Sequence, residues 1–234
     1  MSKKIIIISS LLLIIIPILV AVFFYNKTEY SFKELLEFIN PQITENMSLK
    51  INSNGIDGDN LSELYTKGNL AYENFYINNE KIFEFTFNYE TSEQVNIFHN
   101  SKEIFLFKIE KPATNIIYNK LNYYKELLSK SIKNSYRCHS KEFINGNEIL
   151  KISVDFEENF FHNIDNQTRL YFYINITQKT IDKIDHYNII DNKEILVSTD
   201  NFSYSYNTVT DENLLVNPDD YSNYTYANKD DNKK

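Results

Sequence analysis

The sequence has little cysteine, glycine and proline, and it has no tryptophan. Cys138 is the only cysteine among 234 residues, which excludes a disulfide scaffold and a cysteine-based zinc cluster. Four glycines and four prolines exclude collagen-like chains and glycine-rich or proline-rich linkers. By contrast, the 17 phenylalanines and 18 tyrosines are incompatible with a disordered chain and indicate a domain with a sizeable core.

Positive charge is also scarce. The formal charge is −8, from 24 Lys and Arg against 32 Asp and Glu. Lys3 and Lys4 are the only charged residues before Lys27, so the rest of the chain carries a net charge of −10. Nucleic-acid binding needs a cationic surface, so we predict no nucleic-acid partner. The abundance of Asn, Ile, Lys and Tyr, whose codons are AT-rich, is typical of a Gram-positive bacterium of the clostridial kind.

Residues 5–25 form a run of 21 residues without charge. As a helix this run is about 31 Å long, which matches the hydrocarbon core of a bilayer. No Ala-x-Ala motif follows it, so an uncleaved anchor is favoured over a cleaved signal peptide. Lys3 and Lys4 place the N-terminus in the cytoplasm of a single-pass cell-membrane protein. We therefore predict an anchor over 1–26, an extracytoplasmic domain over 27–221 and a polar flexible tail over 222–234.

Beyond the anchor, one helix, a run of strands, a second helix and a second run of strands are predicted. Ser31 and Glu34 form a capping box before the first helix, and apolar spacing predicts the second helix over 119–133. Residues 55–60 are predicted to be a loop. Asn-Gly at 145–146 marks the clearest hairpin turn, and Asp191-Asn192 marks a further one. The predicted fold class is α+β, with one large antiparallel sheet.

A phenylalanine alternation stands out in this pattern. Phe83, Phe85 and Phe87 share one face of a predicted strand, and Glu84 and Thr86 share the other. The phenylalanines form either ordinary core under the helices or the lining of a cleft for an acyl chain or an apolar partner segment. The candidate apolar cleft comprises Phe83, Phe85, Phe87, Phe105, Phe107, Leu150, Ile152, Phe172 and Ile174.

We find no sequence signature of catalysis. Cys138 and His139 are adjacent, so in a strand their side chains lie on opposite faces and cannot act as a catalytic pair. The histidines lack zinc-site spacing, and the acidic stretch 57–60 lacks the glycine placement of a calcium loop. No phosphate-binding glycine loop occurs. We predict no catalytic residue, no metal site and no cofactor.

Three stretches carry a resemblance to a known family. They are Lys67-Gly-Asn-Leu70 before a strand, 95–100 followed by 103–107, and 170–175 with 180–185. With the order of elements, they resemble the LolA-like superfamily, whose members include lipoprotein carriers, sigma-factor regulators and clostridial germination lipoproteins. The resemblance implies an open half-barrel sheet whose concave face is covered by helices. One departure is that no cysteine stands near the N-terminus to accept a lipid.

The resemblance is closest in character to germination lipoproteins of the GerS type, and it implies a function. The chain is then a non-catalytic binding protein that supports a cell-envelope or spore-cortex hydrolase, such as a peptidoglycan amidase, in germination or sporulation. The alternative is a carrier or sensor that holds a lipid or lipoprotein acyl chain in the half-barrel. A homodimer through an edge strand is also open, because unpaired strand edges invite pairing.

The anchor prediction is testable. Because residues 5–25 carry no charge and no cleavage motif follows them, the mature protein should keep its original N-terminus and resist carbonate extraction from membranes. Mass spectrometry of the purified protein measures the N-terminus directly. A new N-terminus near residue 26 would contradict an uncleaved anchor.

Overall fold

The computed structural model describes residues 30–109, 115–131, 135–157, 166–214 and 221–227. The predicted anchor at 5–25 lies outside these ranges. Within them, neither α-helix has the length and apolar character that crossing a membrane requires.

The described chain folds into two α-helices and one sheet of twelve strands. The helices are α1 (Phe32–Phe38) and α2 (Ile116–Ser129), and a short 3-10 helix covers Asp211–Leu214. The strands are β1 (Asn46–Gly55), β2 (Gly58–Lys67), β3 (Leu70–Ile77), β4 (Glu80–Asn88), β5 (Glu93–Phe98), β6 (Glu103–Lys108), β7 (Arg137–Ile144), β8 (Asn147–Phe156), β9 (Gln167–Asn175), β10 (Thr180–Ile190), β11 (Lys193–Tyr206) and β12 (Thr225–Ala227).

The strand order is β12-β6-β5-β4-β3-β2-β1-β11-β10-β9-β8-β7. Every described pair is antiparallel except β12 with β6, which is parallel. The prediction of a large antiparallel sheet with helices is confirmed, and an open sheet of this size is consistent with a half-barrel. β12 lies inside the stretch 222–234 that we expected to be a polar tail, so the sheet extends to Ala227.

The hairpin turns follow from local sequence. Asn145 and Gly146 both have positive φ, as do Asp191 and Asn192. Two such residues in succession make the tight turn whose twist matches that of paired strands. The predicted turns at these positions are therefore confirmed.

The predicted loop at 55–60 is wrong. Only Ile56 and Asp57 form the turn, and β2 already begins at Gly58. Gly58 has a φ of +117°, and a Cβ there would lie 2.6 Å from the side-chain oxygen of Asn78. That oxygen accepts a hydrogen bond of 3.0 Å from the Asp59 amide. Backbone pairing with β1 and β3 thus makes this polar stretch part of a strand, although its sequence does not alternate between apolar and polar residues.

Both helices are capped by side chains. In α1 the predicted capping box is confirmed, since Ser31 Oγ accepts from the Glu34 amide and Glu34 accepts from the Ser31 amide. α2 begins at Ile116, three residues before the predicted start, because the Asn115 side chain accepts from the amides of Ile117 and Tyr118. Asparagine is among the strongest N-cap residues, so it fixes the start of α2.

Both helices pack on one face of the sheet, over β1, β2 and β8–β11. The core there consists mainly of aliphatic residues, with the Tyr124 ring of α2 against Phe202 at 5.1 Å between ring centres. Leu49, Phe172 and Ile184 are fully buried in it. We call this the helix-covered core.

The strand registers show which residues share that face. Leu49 pairs with Leu64, and Leu64 pairs with Glu73. Glu73 pairs with Phe85, and from there the register continues through Asn96 to Phe105. Directly paired residues point to the same side of a sheet. The phenylalanines of β4 and β6 therefore lie on the face that carries the helix-covered core.

A matched pair of isoleucines tests the core. Ile152→Ala should lower the free energy of unfolding by about 2–5 kcal/mol, because Ile152 is fully buried and the shorter side chain would leave a cavity in the core. Ile195→Ala should change it by less than about 1 kcal/mol, because that side chain is 48% exposed. Urea denaturation of the full-length protein in mild detergent, followed by circular dichroism, measures both. Equal effects would contradict a packed core at Ile152.

Candidate binding surface

Outside the helix-covered core, the same face of β3–β6 carries a patch of phenylalanines. Most of these side chains are half-buried, and Phe98 is 38% exposed. We call the patch the phenylalanine surface. Its members are Phe75, Phe83, Phe85, Phe98, Phe105 and Phe107.

The rings form a continuous set across three strands. The centres of Phe83 and Phe98 are 5.1 Å apart, and those of Phe98 and Phe105 are 5.6 Å apart. Phe105 and Phe107 are stacked at 6.2 Å. Rings at such separations stabilise one another, so these four rings form one connected apolar surface.

The phenylalanine surface adjoins the core at the end of β4. Phe87 is 2% exposed, and its ring contacts Tyr89 at 4.8 Å. Tyr89 Oη accepts a 3.0 Å hydrogen bond from the Ile116 amide at the start of α2. The first turn of α2 is therefore attached to the edge of the patch, and the helix runs from there over the core.

Acidic groups lie among the rings. Glu73 pairs directly with Phe85, and Glu103 pairs with Phe98, so both carboxylates are on this face. The Ser62 hydroxyl donates to Glu73 at 2.8 Å. No Lys or Arg pairs directly with these six phenylalanines in the described strands, so the patch combines apolar rings with negative charge.

The nine residues predicted to line a cleft separate into two groups. Phe83, Phe85, Phe105 and Phe107 belong to the phenylalanine surface, and Phe87 lies at its boundary with the core. The other four are fully buried in the helix-covered core, and they are Leu150, Ile152, Phe172 and Ile174. All nine share one face of the sheet, but they do not meet around one opening. Ligand binding by any of them stays a prediction.

A depression of about 880 Å³ lies near the start of β10. It is lined mainly by polar side chains, among them Gln42, Thr44 and Asp182. Burial raises the pKa of Asp182, although hydrogen bonds from Thr180 and Asn175 oppose the shift. Such a lining suits water or a polar group better than an acyl chain.

The other candidate chemistry is not assembled. Cys138 packs against the core, while His139 on the opposite face lies 2.8 Å from Ser153 Oγ. Burial and the nearby charges of Lys151 and Arg169 lower the pKa of His139. Among the described ranges, no three His, Cys, Asp or Glu side chains are grouped so as to hold a metal ion.

Sequence reasoning missed a buried cluster on the opposite face of β3–β6. Glu84, assigned to a polar face, is 1% exposed. Tyr221 Oη donates to it at 2.7 Å, Lys81 Nζ at 3.2 Å, and His99 Nε2 lies 2.8 Å away. Tyr72 Oη donates to the second carboxylate oxygen. The only signal in the sequence was a lone acidic residue inside an aromatic strand.

This environment sets the pKa of Glu84. Burial alone raises the pKa of a carboxyl group, but the hydrogen bonds from Tyr72 and Tyr221 and the charge of Lys81 outweigh burial and lower it. Burial and the bond to the carboxylate raise the pKa of Tyr72 far above its usual range. Glu84 is therefore ionised and its hydroxyl partners are neutral donors.

The pH dependence of stability tests this cluster. Because the pKa of Glu84 is lower in the folded than in the unfolded state, the ionised group stabilises the fold above about pH 4.5. That contribution is lost as the pH falls through the folded-state value. Glu84→Gln should cost about 1–3 kcal/mol at neutral pH, and the difference from wild type should shrink below about pH 4.5. Urea denaturation across pH measures it.

Glu37→Gln, on the exposed side of α1, is the control for the change in charge. Its free energy of unfolding should differ little from wild type at every pH. A Glu84→Gln difference that is independent of pH would show that the carboxylate charge has no part in the cluster.

The chain was compared with known proteins, and the similar structures have low sequence identity to it. No family model matches the chain, and no curated protein matches it. An uncharacterised conserved protein from Thermus thermophilus has a similar structure, with 10% identity, a TM-score of 0.45, and coverage of 84% of this chain and 98% of that one. Lipoprotein LppX of Mycobacterium tuberculosis has 11% identity, a TM-score of 0.40, and coverage of 77% and 98%. The structure of the MucA/MucB complex of Pseudomonas aeruginosa is also similar, with 8% identity, a TM-score of 0.44, and coverage of 80% of this chain and 60% of that one.

Proposed function

We propose that this chain is a membrane-anchored, extracytoplasmic binding protein without catalytic activity of its own. Its phenylalanine surface binds an apolar, basic segment of a partner protein. The partner is a cell-envelope or spore-cortex hydrolase such as a peptidoglycan amidase, acting in germination or sporulation. The observation that carries the proposal is the continuous set of partly exposed phenylalanine rings beside a closed core.

A contiguous aromatic patch is costly to leave in water. Soluble proteins rarely expose large apolar patches, and those that do use them for binding. Aromatic side chains are enriched at the centres of protein interfaces, where a few of them supply most of the binding free energy. Phe98 contacts both Phe83 and Phe105 in the middle of the patch, so these three rings are suited to supply binding free energy.

Charge indicates the kind of partner. Glu73 and Glu103 lie among the rings, and the chain after Lys4 has a net charge of −10. A segment that carries Lys or Arg beside apolar side chains satisfies these carboxylates and buries the rings. Attraction between opposite charges also speeds association at low ionic strength.

The alternative is a carrier or sensor of acyl chains. An acyl chain needs an apolar cavity that encloses most of its surface. Leu150, Ile152, Phe172 and Ile174 would line such a cavity, yet each is fully buried by its neighbours. The 880 Å³ depression is lined mainly by polar residues. A partly exposed set of rings beside a filled core favours a protein segment.

The predicted anchor at 5–25 and the positive residues before it support a location at the cell membrane, with the domain outside. Only residues 26–29 separate the anchor from Tyr30. Four residues span at most about 18 Å to the next described one, so the domain would stay close to the membrane surface and to envelope enzymes there.

A pair of substitutions on opposite sheet faces tests the proposal. Full-length protein in nanodiscs is titrated with a purified envelope amidase, and the dissociation constant is measured by biolayer interferometry. Phe98→Ser should weaken binding by about tenfold or more, since it removes a central ring. Leu106→Ser, on the other face and 51% exposed, should change binding by less than about twofold.

Two results would overturn the proposal. Equal binding by Phe98→Ser and Leu106→Ser would show that the phenylalanine surface is not the site. Uptake of a fluorescent fatty acid by the wild type, lost in Phe85→Glu, together with no amidase binding, would establish the carrier alternative. Release of muropeptides from peptidoglycan by the protein alone would refute the absence of catalysis.

A further inference from the structure

The edge of the phenylalanine surface is occupied by the chain's own C-terminal part. β12 pairs in parallel with β6, at Thr225 with Glu103 and at Ala227 with Phe105. It is the one parallel pair among the described strands, and it covers three of the six residues of β6. A short edge strand of this kind has few ladder hydrogen bonds to hold it.

Side chains hold this segment as much as the ladder does. Tyr221 Oη donates to Glu84 at 2.7 Å, and Tyr224 Oη lies 2.8 Å from His99 Nδ1. The Thr225 amide donates to the Lys102 carbonyl at 2.9 Å. Tyr226, in the middle of β12, is 60% exposed. Two tyrosine hydroxyls therefore make a large part of the attachment of residues 221–227.

β12 presents small side chains to the phenylalanine surface. Alternate residues of a strand point to opposite faces, and register places Thr225 and Ala227 on the face of Phe105. Neither is large enough to cover a phenylalanine ring, and Phe105 stays partly exposed. A strand with large apolar residues at these two positions would bury more of the surface than β12 does.

We propose that the partner segment binds as an added strand along β6 and displaces residues 221–227, which cover this edge until a partner arrives. This inference rests on the proposed function of the phenylalanine surface and specifies its mode of recognition. Backbone hydrogen bonds to β6 supply affinity, and side chains that reach the rings supply specificity.

The structure also specifies the chemistry of that strand. Alternate residues of the strand lie on the face of the rings. The one beside Glu103, in the first ladder position that β12 now occupies, is Lys or Arg, and those beside Phe105 and Phe107 are large and apolar. The segment is therefore an extended sequence with one basic and then two apolar residues at alternate positions.

A short synthetic peptide with Lys, Phe and Val at alternate positions and Thr between them is the probe, titrated against full-length protein in nanodiscs. Its control has the same sequence with N-methylated backbone amides, which cannot join a ladder. Tyr221→Phe with Tyr224→Phe removes two hydroxyls and leaves the rings. This variant should bind the probe at least about fivefold more tightly than wild type, and the methylated control should not bind.

A reversible lock supplies the opposite change. Ile104→Cys with Tyr226→Cys, in a Cys138→Ser background, joins two directly paired residues of β6 and β12 on the face opposite to the rings. Neighbouring strands place such Cα atoms within disulfide range. The oxidised protein should lose probe binding, and reduction should restore it. Circular dichroism checks that every variant is folded.

The outcomes separate this inference from the proposed function. Equal probe binding by the oxidised and reduced lock would overturn strand addition, while a loss in Phe98→Ser would still support the phenylalanine surface. Failure of every form to bind either the probe or the amidase would overturn both. Concentration-dependent dimers of the double tyrosine variant, without probe binding, would mean that the edge accepts a second copy of this chain.

Discussion

The register of the backbone ladder is the constraint on which the rest of the structure depends. β1 is paired on both sides and so joins the two halves of the chain into a single sheet. The ladder then assigns each strand residue from β7 to β12 to one face of that sheet. Leu49 and Phe105 thereby share a face, although five strand pairings separate β1 from β6. A shift of one residue at β3 would exchange the phenylalanines with Glu84 and destroy both faces.

The size of that sheet explains why one part of the apolar face is left open. Twelve strands at about 4.8 Å spacing span about 53 Å, if the sheet is laid flat. α1 has 7 residues and α2 has 14, so they are about 10 Å and 21 Å long. Two such helices bury the aliphatic centre around Phe172, but they are too short to cover β3–β6 as well. The phenylalanine surface is the part of the face that neither helix reaches.

Local sequence determined the features that could be predicted. The turns at Asn145 and Asp191 and the capping box at Ser31 depend on residues within four positions of one another. The Glu84 cluster depends on Tyr221, 137 positions away, so strand alternation alone marked Glu84 as a solvent-facing residue. The nine residues of the predicted cleft lie on one face of the sheet, yet alternation cannot tell which strands the helices cover. That division follows from helix length and from the start of α2 at Ile116, after the N-cap Asn115.

The two faces of β4–β6 are coupled through the C-terminal segment. Tyr221 and Tyr224 lie over the outer face, where they satisfy Glu84 and His99, while β12 borders the phenylalanines on the inner face. Removal of the segment would leave the Glu84 carboxylate with fewer donors, and an under-satisfied buried charge is costly. A partner strand must therefore recover on the inner face, by covering phenylalanine rings, more free energy than the outer face loses. β12 itself offers only small side chains to the rings, so it gains little free energy from covering them. A strand with large apolar side chains can therefore displace it.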